Sequence, residues 1–408
     1  MSKIKILVIP SDTYGVGKFR ILDPFKYIGD NYSNEIHVDI SFNAENNDDY
    51  FKSYDAVVFH SFIHKLSHED NISRINWLKN QGIKVIMDID DHWNVDQRHP
   101  MYHQVKFNKI GEKKAEYMRL VDYVTTTTPV FANTIKTKLG VKNVFVFPNA
   151  VNDEEPQYRP NPIKSDKIRF GWLGGSSHMH DIDLLKNGIS HMHYAHQGGV
   201  QFVLCGFDLR GSVSEIIKET GEQKQRPILP METVWYKYEQ VFTDNYNVIP
   251  EDYKNHLMTF TDKPYPDQNE AYVRRWTLDV SKYANNYNYF DVSLAPIVES
   301  EFNMNKSQLK VIEAGFHKKA IIASEINPYI IDLVSAVDDG KFNSKGNALL
   351  VSANRNHKQW GQHMKKLYEN PNMIEDMGNR LYETVKDKYS LKKVCQDRVE
   401  FLKSIIKK

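Results

Sequence analysis

Short apolar runs ending in turn residues recur along the chain and alternate with segments of helical period. In the first half they are Ile4–Ile9, Ala56–Phe59, Ile83–Ile89, Tyr123–Thr126 and Val144–Phe147. In the second half they are Ile168–Leu173, Gln201–Cys205, Val292–Ala295, Ala320–Ala323 and Ala348–Val351. Runs that are apolar on both faces, with helices between them, predict parallel strands covered by helices on both sides. Two such sets predict an α/β chain with two Rossmann-like domains. The boundary falls between Asn149 and Asp166, a stretch without periodicity that holds Pro156, Pro160 and Pro162, as an interdomain linker does. Residues 1–160 are therefore read as the first domain, 165–385 as the second and 386–408 as a terminal helix. From Phe207 to about Trp276 the sequence is polar, aromatic and proline-rich, which predicts an insertion in the second domain, helical around Met231–Phe242.

Composition narrows the class. The 408 residues suit two domains rather than one core, and 41% hydrophobic with 12% aromatic residues is globular, not disordered. A net charge of +1 carries no basic excess of the kind a nucleic-acid coat or membrane-surface protein shows. Lys403, Lys407 and Lys408 read as the solvated end of a helix. Two cysteines are too few for a disulfide scaffold and lack metal-ligand spacing; Cys205, inside an apolar strand, reads as an inert buried thiol. No signal-peptide pattern precedes Ile4, and no apolar run approaches the roughly 20 residues that span a bilayer. The reading is cytoplasmic.

The most informative stretch runs from Asp291 to Gly315: a buried strand, a loop from Pro296, then a helix starting near Asn303–Asn305. On one continuous helix Lys306, Lys310 and Glu313 fall within roughly 60° of one another, while Leu309, Ile312 and Phe316 turn to the core. Two ammonium groups and a carboxylate then stand just past the end of a parallel strand, where open α/β sheets bind ligands. Lysines can balance a diphosphate, and a carboxylate can accept both hydroxyls of a ribose. The competing reading is a plain surface Lys310–Glu313 pair. The turn Gly174-Gly175-Ser176-Ser177-His178, between a strand and a helical pattern, has the glycines and amides that let backbone approach a phosphate.

These segments resemble the GT-B glycosyltransferases, particularly bacterial and phage members with a Lys-Ser-x-x-Lys-x-x-Glu-Ala segment, here Lys306-Ser307 to Glu313-Ala314. Phe170–His178, Phe290–Pro296, Ala320–Ser324 and the tail from Asn347 to Leu391 follow in the same order. The resemblance implies two domains facing a cleft, a terminal helix from about Ser390 that crosses back to the first domain, and a nucleotide-sugar donor bound by the second domain. It assigns Glu313 to the nucleotide ribose, and Ser307 and the Gly174–His178 turn to the donor. His178 and Asp181 resemble a His-x-x-Asp feature of related sequences. Many members carry a second acid eight residues before the glutamate; here that position is Asn305, with Glu299 and Glu301 as nearby substitutes.

In the first half, Tyr14–Arg20 resembles the family's glycine loop, so Gly15, Gly17 and Arg20 are expected at the donor. The third glycine of a dinucleotide fingerprint is missing. Asp88-Ile89-Asp90-Asp91-His92 has the spacing of a divalent-cation site, but the resemblance implies an enzyme without metal or other cofactor. Asp90, Asp91 and His92 are then expected to line the cleft. Lys306 and Lys310 are the expected counter-charges of a departing diphosphate, and Asp91 or His92 the base that an inverting reaction needs; the resemblance leans towards retention. A nucleotide-sugar epimerase and a noncatalytic nucleotide-sugar binder are the alternatives. Among acceptors, surface polysaccharide, protein, lipid-linked sugar and modified phage DNA stay open, nucleic acid entering only in that role.

Overall fold

The computed structural model describes residues 3–42, 47–63, 66–216, 223–263, 270–338, 341–353 and 356–406. Pro264, Pro266, Lys407 and Lys408, singled out above or within the segments discussed, lie outside them. The first half contributes β1 (Ile4–Ile9), β2 (Ile36–Ile40), β3 (Ala56–His60), β4 (Lys84–Asp88), β5 (Tyr123–Thr126) and β6 (Val144–Val146). They form one sheet in the order β2-β1-β3-β4-β5-β6, every pairing parallel. Its two faces are filled by alternate residues of the same strands. On β1, Leu7 and Ile9 enter one helix-covered layer, while Ile4, Ile6 and Val8 enter the other.

The second half contributes β7 (Ile168–Leu173), β8 (Val200–Phe207), a hairpin of β9 (Ser212–Ile216) and β10 (Gln223–Pro227), β11 (Tyr272–Trp276), β12 (Val292–Ala295) and β13 (Ala320–Ser324). A small hairpin of β14 (Val337–Asp338) and β15 (Lys341–Phe342) precedes β16 (Leu349–Val351). The main sheet runs β11-β8-β7-β12-β13-β16, again parallel throughout. Cys205 points into its core, where burial pushes the thiol up to about 12.

The segment from Phe207 to Trp276 is not simply an insertion, which corrects the sequence reading. The helices Val234–Phe242 and Glu251–Met258 cover the sheet, and the segment ends in β11, the strand beside β8. Among the described residues, the β9–β10 hairpin is the addition to the strand-helix-strand unit. The polar appearance of β11 has a local cause: Arg274 is buried against Glu239 at 2.5 and 2.8 Å, and Tyr246 and Tyr272 donate to the same carboxylate at 2.7 Å. A fully satisfied polar cluster of this kind replaces apolar packing.

The chain leaves the first sheet through Val151, which pairs with Ser390, so the linker is docked along the later tail. Ser390 caps the helix Leu391–Ile405 by accepting from Lys393 N at 3.3 Å. That helix packs on the first sheet's layer: Leu391, Val394, Val399 and Leu402 lie with Ile4, Ile6 and Phe25. The Cys395 thiol donates to the Pro24 carbonyl at 3.4 Å. The two sheets are thus joined twice, by the linker and by a helix returning from the end of the chain. Among the described residues no helix is long and apolar enough to cross a membrane.

Candidate functional site

The loops after β1, β4, β7, β11 and β12 open into one cleft of about 880 Å³ between the two sheets. These are the carboxyl ends of parallel strands, where the sheet fold leaves a crevice.

From the first sheet come Tyr14, Gly15, Arg20, Asp90 and Asp91. The Asp12 carboxylate accepts from Tyr14 N at 2.8 Å and Gly17 N at 3.0 Å, tying the glycine loop into a turn. Gly17 is off the cleft wall, and its role is steric: a Cβ there would stand 1.8 Å from the Asp12 carbonyl oxygen. Arg20 also departs from its expected role. It borders the cleft, but its guanidinium is buried on Asp88 at 2.8 and 2.9 Å and on the Phe147 carbonyl at 2.6 Å. Its charge is consumed in the fold.

The acidic run divides three ways. Asp88 is the partner of Arg20. The Asp90 carboxylate is bonded to His60 Nε2 at 3.0 Å; against the cost of burial, that bond holds its carboxyl below the usual range. Burial and the neighbouring Asp90 charge push Asp91 up to about 6, partly offset by the Lys306 charge. His92 does not line the cleft, contrary to expectation: it stacks on Trp93 at 4.1 Å, bonds the Asn94 carbonyl and faces Glu301 at 3.4 Å. Stacking beside a large ring drew it into the core. Among the described residues no group of three or more His, Cys, Asp and Glu side chains is placed to hold a metal ion.

From the second sheet come Gly174, Gly175, Ser177 and His178; Ser176 points to solvent, outside the lining. Gly174 is required by its surroundings, since a Cβ would meet the Trp172 ring at 2.5 Å and Lys310 Nζ at 2.8 Å. His178 Nδ1 is 2.7 Å from Asp181, whose other oxygen accepts from Val298 N at 2.7 Å. Burial pushes His178 down to about 4, so it is a neutral imidazole at pH 7.

The helix expected to carry both lysines is broken. One short helix spans Glu301–Met304 and a second Leu309–Phe316, leaving Lys306 and Ser307 in the turn between them. Asn305 closes the first by donating to the Glu301 carbonyl at 2.7 Å, and Gln308 is held by Asp332 and the Tyr389 hydroxyl at 3.2 and 2.8 Å. These side-chain bonds outcompete helix continuation. The turn projects Lys306 and Ser307 into the cleft beside Lys310, from the first turn of the second helix. Asn149 joins the halves here: it accepts from Arg20 at 3.1 Å and donates to Ser307 Oγ at 3.0 Å.

Lys310 and Glu313 do not pair. Lys310 donates to the Leu173 carbonyl and sits over the Trp172 ring; burial and the Lys306 charge lower it to about 8. Glu313 is 4% exposed and accepts from the hydroxyls of Tyr283 and Tyr287. Burial pushes its carboxyl up to about 8. Glu301 is committed to Lys138 and His92, and Glu299 is exposed and off the cleft wall, so neither replaces the acid missing at Asn305.

A glycosyltransferase structure from Rickettsia africae superposes on the whole of this chain and of its own with a TM-score of 0.60 at 13% identity. Anabaena HepE, solved with UDP-glucose, gives 0.59 at 11% identity over 98% of this chain and 100% of that one. The fold is GT-B. A candidate UDP-N-acetylglucosamine 2-epimerase from Listeria monocytogenes shares it, with a TM-score of 0.53 at 8% identity over 99% and 96% of the chains. No family model and no curated protein matches the sequence. Within this GT-B cleft the residues that sequence reasoning missed are Tyr283, Tyr287 and Asn149. The aromatic-amide run Tyr283-Ala-Asn-Asn-Tyr287-Asn-Tyr289 was a visible signal for the first two.

Proposed function

We propose that the chain is a glycosyltransferase that moves a sugar from a nucleotide-sugar donor to an acceptor approaching from the first domain. The observation that carries this is the second-domain wall of a GT-B cleft. There the Gly174–Gly175 turn, two lysines that meet no carboxylate among the described residues and a buried glutamate stand in sequence. Glycosyl transfer develops positive charge at the anomeric carbon and negative charge on the departing diphosphate. Lys306, Lys310 and the turn amides meet the diphosphate charge, and Glu313 accepts from the ribose hydroxyls. Lysines in that role make a divalent ion unnecessary, so transfer should survive chelation by EDTA.

Asp91 is our base for the acceptor hydroxyl. It lies on the opposite wall, and a carboxyl titrating near 6 is ionised at pH 7 yet basic enough to take a proton. Its neighbour Asp90 is a weaker base, held by His60. Assigning Asp91 this role favours inversion over the retention that the sequence resemblance suggested, and NMR of the product's anomeric centre decides between them. Mass spectrometry with a panel of nucleotide sugars tests the function: release of nucleoside diphosphate that rises with added acceptor supports it. Isomerised donor without acceptor supports the second reading, an epimerase, which the Listeria neighbour's shared fold suggests. Nucleotide binding without turnover leaves only a binding protein.

A further inference from the structure

Beyond Glu313 the cleft continues along the short 3-10 helix Tyr283–Tyr289. Three residues per turn align Tyr283, Asn286 and Tyr289 along one edge. Tyr283 bonds Glu313, Asn286 borders both the cleft and a side cavity of about 210 Å³, and Tyr289 lines that cavity. The two spaces share Asn286 and Leu278, the latter 42% exposed. Asn286 is 2% exposed and its amide nitrogen is buried with no hydrogen-bond partner among the described residues. Arg275, also on the cavity wall, lies over the Tyr289 ring, 3.1 Å from its centroid, with Nε buried and without a hydrogen-bond partner among the described residues. Its neighbour Arg274 is neutralised by Glu239, whereas Arg275 meets no carboxylate among the described residues. Both residues line a cavity that opens from the cleft, where an acceptor could satisfy donors the fold leaves unpaired.

We propose that this edge holds the donor's nucleobase and selects bases that present a carbonyl oxygen, uracil or guanine, over adenine. The inference rests on the reading of Glu313 as the ribose ligand. With the diphosphate at Lys306 and Lys310, one turn before Glu313, the base leaves the ribose on the other side, along Tyr283 and Asn286. Leu278 covers the ring face. A guanidinium can only donate, so a keto oxygen satisfies Arg275 together with the Asn286 amide. The amino group of adenine at the same place sets donor against donor and leaves Arg275 unpaired, the kind of mismatch that gives strong discrimination.

Titration calorimetry of the full chain with UDP, GDP and ADP tests this, on the wild type, Asn286→Asp and Arg275→Met. Asn286→Asp is nearly isosteric and turns the donor into an acceptor; Arg275→Met keeps an aliphatic stem on Tyr289 and removes the donors. The expected result is that the wild type binds UDP or GDP at least about tenfold more tightly than ADP, one hydrogen bond's worth. Each variant should lose most of that preference while its ADP affinity holds or rises. Equal or tighter ADP binding by the wild type overturns the inference, as do variants that weaken all three nucleotides alike, and the nucleotide-site reading then stands without it. Failure of all three to bind overturns that reading itself.

Discussion

Glu313 offers the most exacting test, because its buried state and its assigned task require different protonation. Without ligand the carboxyl titrates near 8 rather than near 4.5, the shift coming from burial. At pH 7 it is therefore about nine-tenths protonated. Two tyrosine hydroxyls now donate to it, and a ribose diol would need the same lone pairs in the ionised form. Nucleotide binding at pH 7 should then release close to one proton from Glu313. Affinity should rise with pH up to about 8, approaching tenfold per unit. Calorimetry of nucleoside diphosphate binding in two buffers of different ionisation enthalpy reads the proton count directly. Glu313→Gln is the control, since it keeps the shape, bonds neither hydroxyl as strongly and cannot release a proton. It also subtracts proton exchange from Lys310, which titrates in the same region with the opposite effect on binding.

The same shift makes a stability claim with a fixed sign. A carboxyl whose native pKa is raised destabilises the fold once the unfolded chain ionises. The cost is absent below about pH 4.5, grows through the window to about 8 and is constant above it. At 1.36 kcal/mol per pH unit its ceiling is about 5 kcal/mol. Urea unfolding at pH 5 and pH 8 should therefore show the wild type losing stability relative to Glu313→Gln as pH rises. If the two proteins release equal numbers of protons on binding and keep a constant stability difference across this window, Glu313 is neither the buried acid nor the ribose ligand described here.

Lys306→Met and Lys310→Met should each lower kcat by about tenfold or more, because a counter-charge to a departing diphosphate strengthens in the transition state; unchanged kcat with altered KM alone would reduce both to binding groups. The wild-type rate should also decline above pH 8 as Lys310 loses its proton. Asp91→Asn should cut transfer about a hundredfold while leaving nucleoside diphosphate affinity intact, and wild-type transfer should rise through pH 6; His92→Gln should leave kcat near wild type, and the reverse pattern would exchange their roles. Arg20→Met leaves the buried Asp88 only the Thr125 hydroxyl and the more distant Arg398, at 3.9 Å, so urea unfolding should report a loss of about 3 kcal/mol; a variant as stable as wild type would contradict the buried pair.

What could be read from sequence follows from how local each signal is. The two-faced apolar runs gave β1, β5, β7 and β12 to the residue, because a strand covered on both sides needs nothing beyond its own composition. β2 and β11 were missed: β2 has a single buried position, and β11 carries two arginines, one of them buried against Glu239 of a distant helix. The Lys306–Glu313 segment was found by chemistry while its shape was misjudged. Helical periodicity runs unbroken through Gln308, and only the tertiary bonds from Asp332 and Tyr389 show why the helix stops there. His92 and Arg20 misled for a similar reason. A charged or ionisable residue beside a predicted cleft has the same sequence appearance whether it faces the ligand or a buried partner.

The partners that sequence could not supply give the cleft its electrostatic direction. On the first-domain wall Arg20 is spent on Asp88, and behind the wall Lys18 is spent on Asp23 and Glu155 at 2.6 and 2.8 Å. The group left available there is a carboxyl, Asp91. On the second-domain wall the order is reversed. Glu313 is held by two tyrosines, while Lys306 lies over the Phe302 ring and Lys310 over Trp172, contacts that keep a cation in place without neutralising it. Asn149 ties the two walls together through Arg20 and Ser307, so the spent cation of one wall positions the turn that presents the free cation of the other. In the proposed reading, a donor whose diphosphate must leave towards positive charge and an acceptor whose hydroxyl must lose a proton then take opposite sides. That separation is what transfer between two substrates needs and what isomerisation of one bound sugar does not, and it is the physical reason for ranking transfer first.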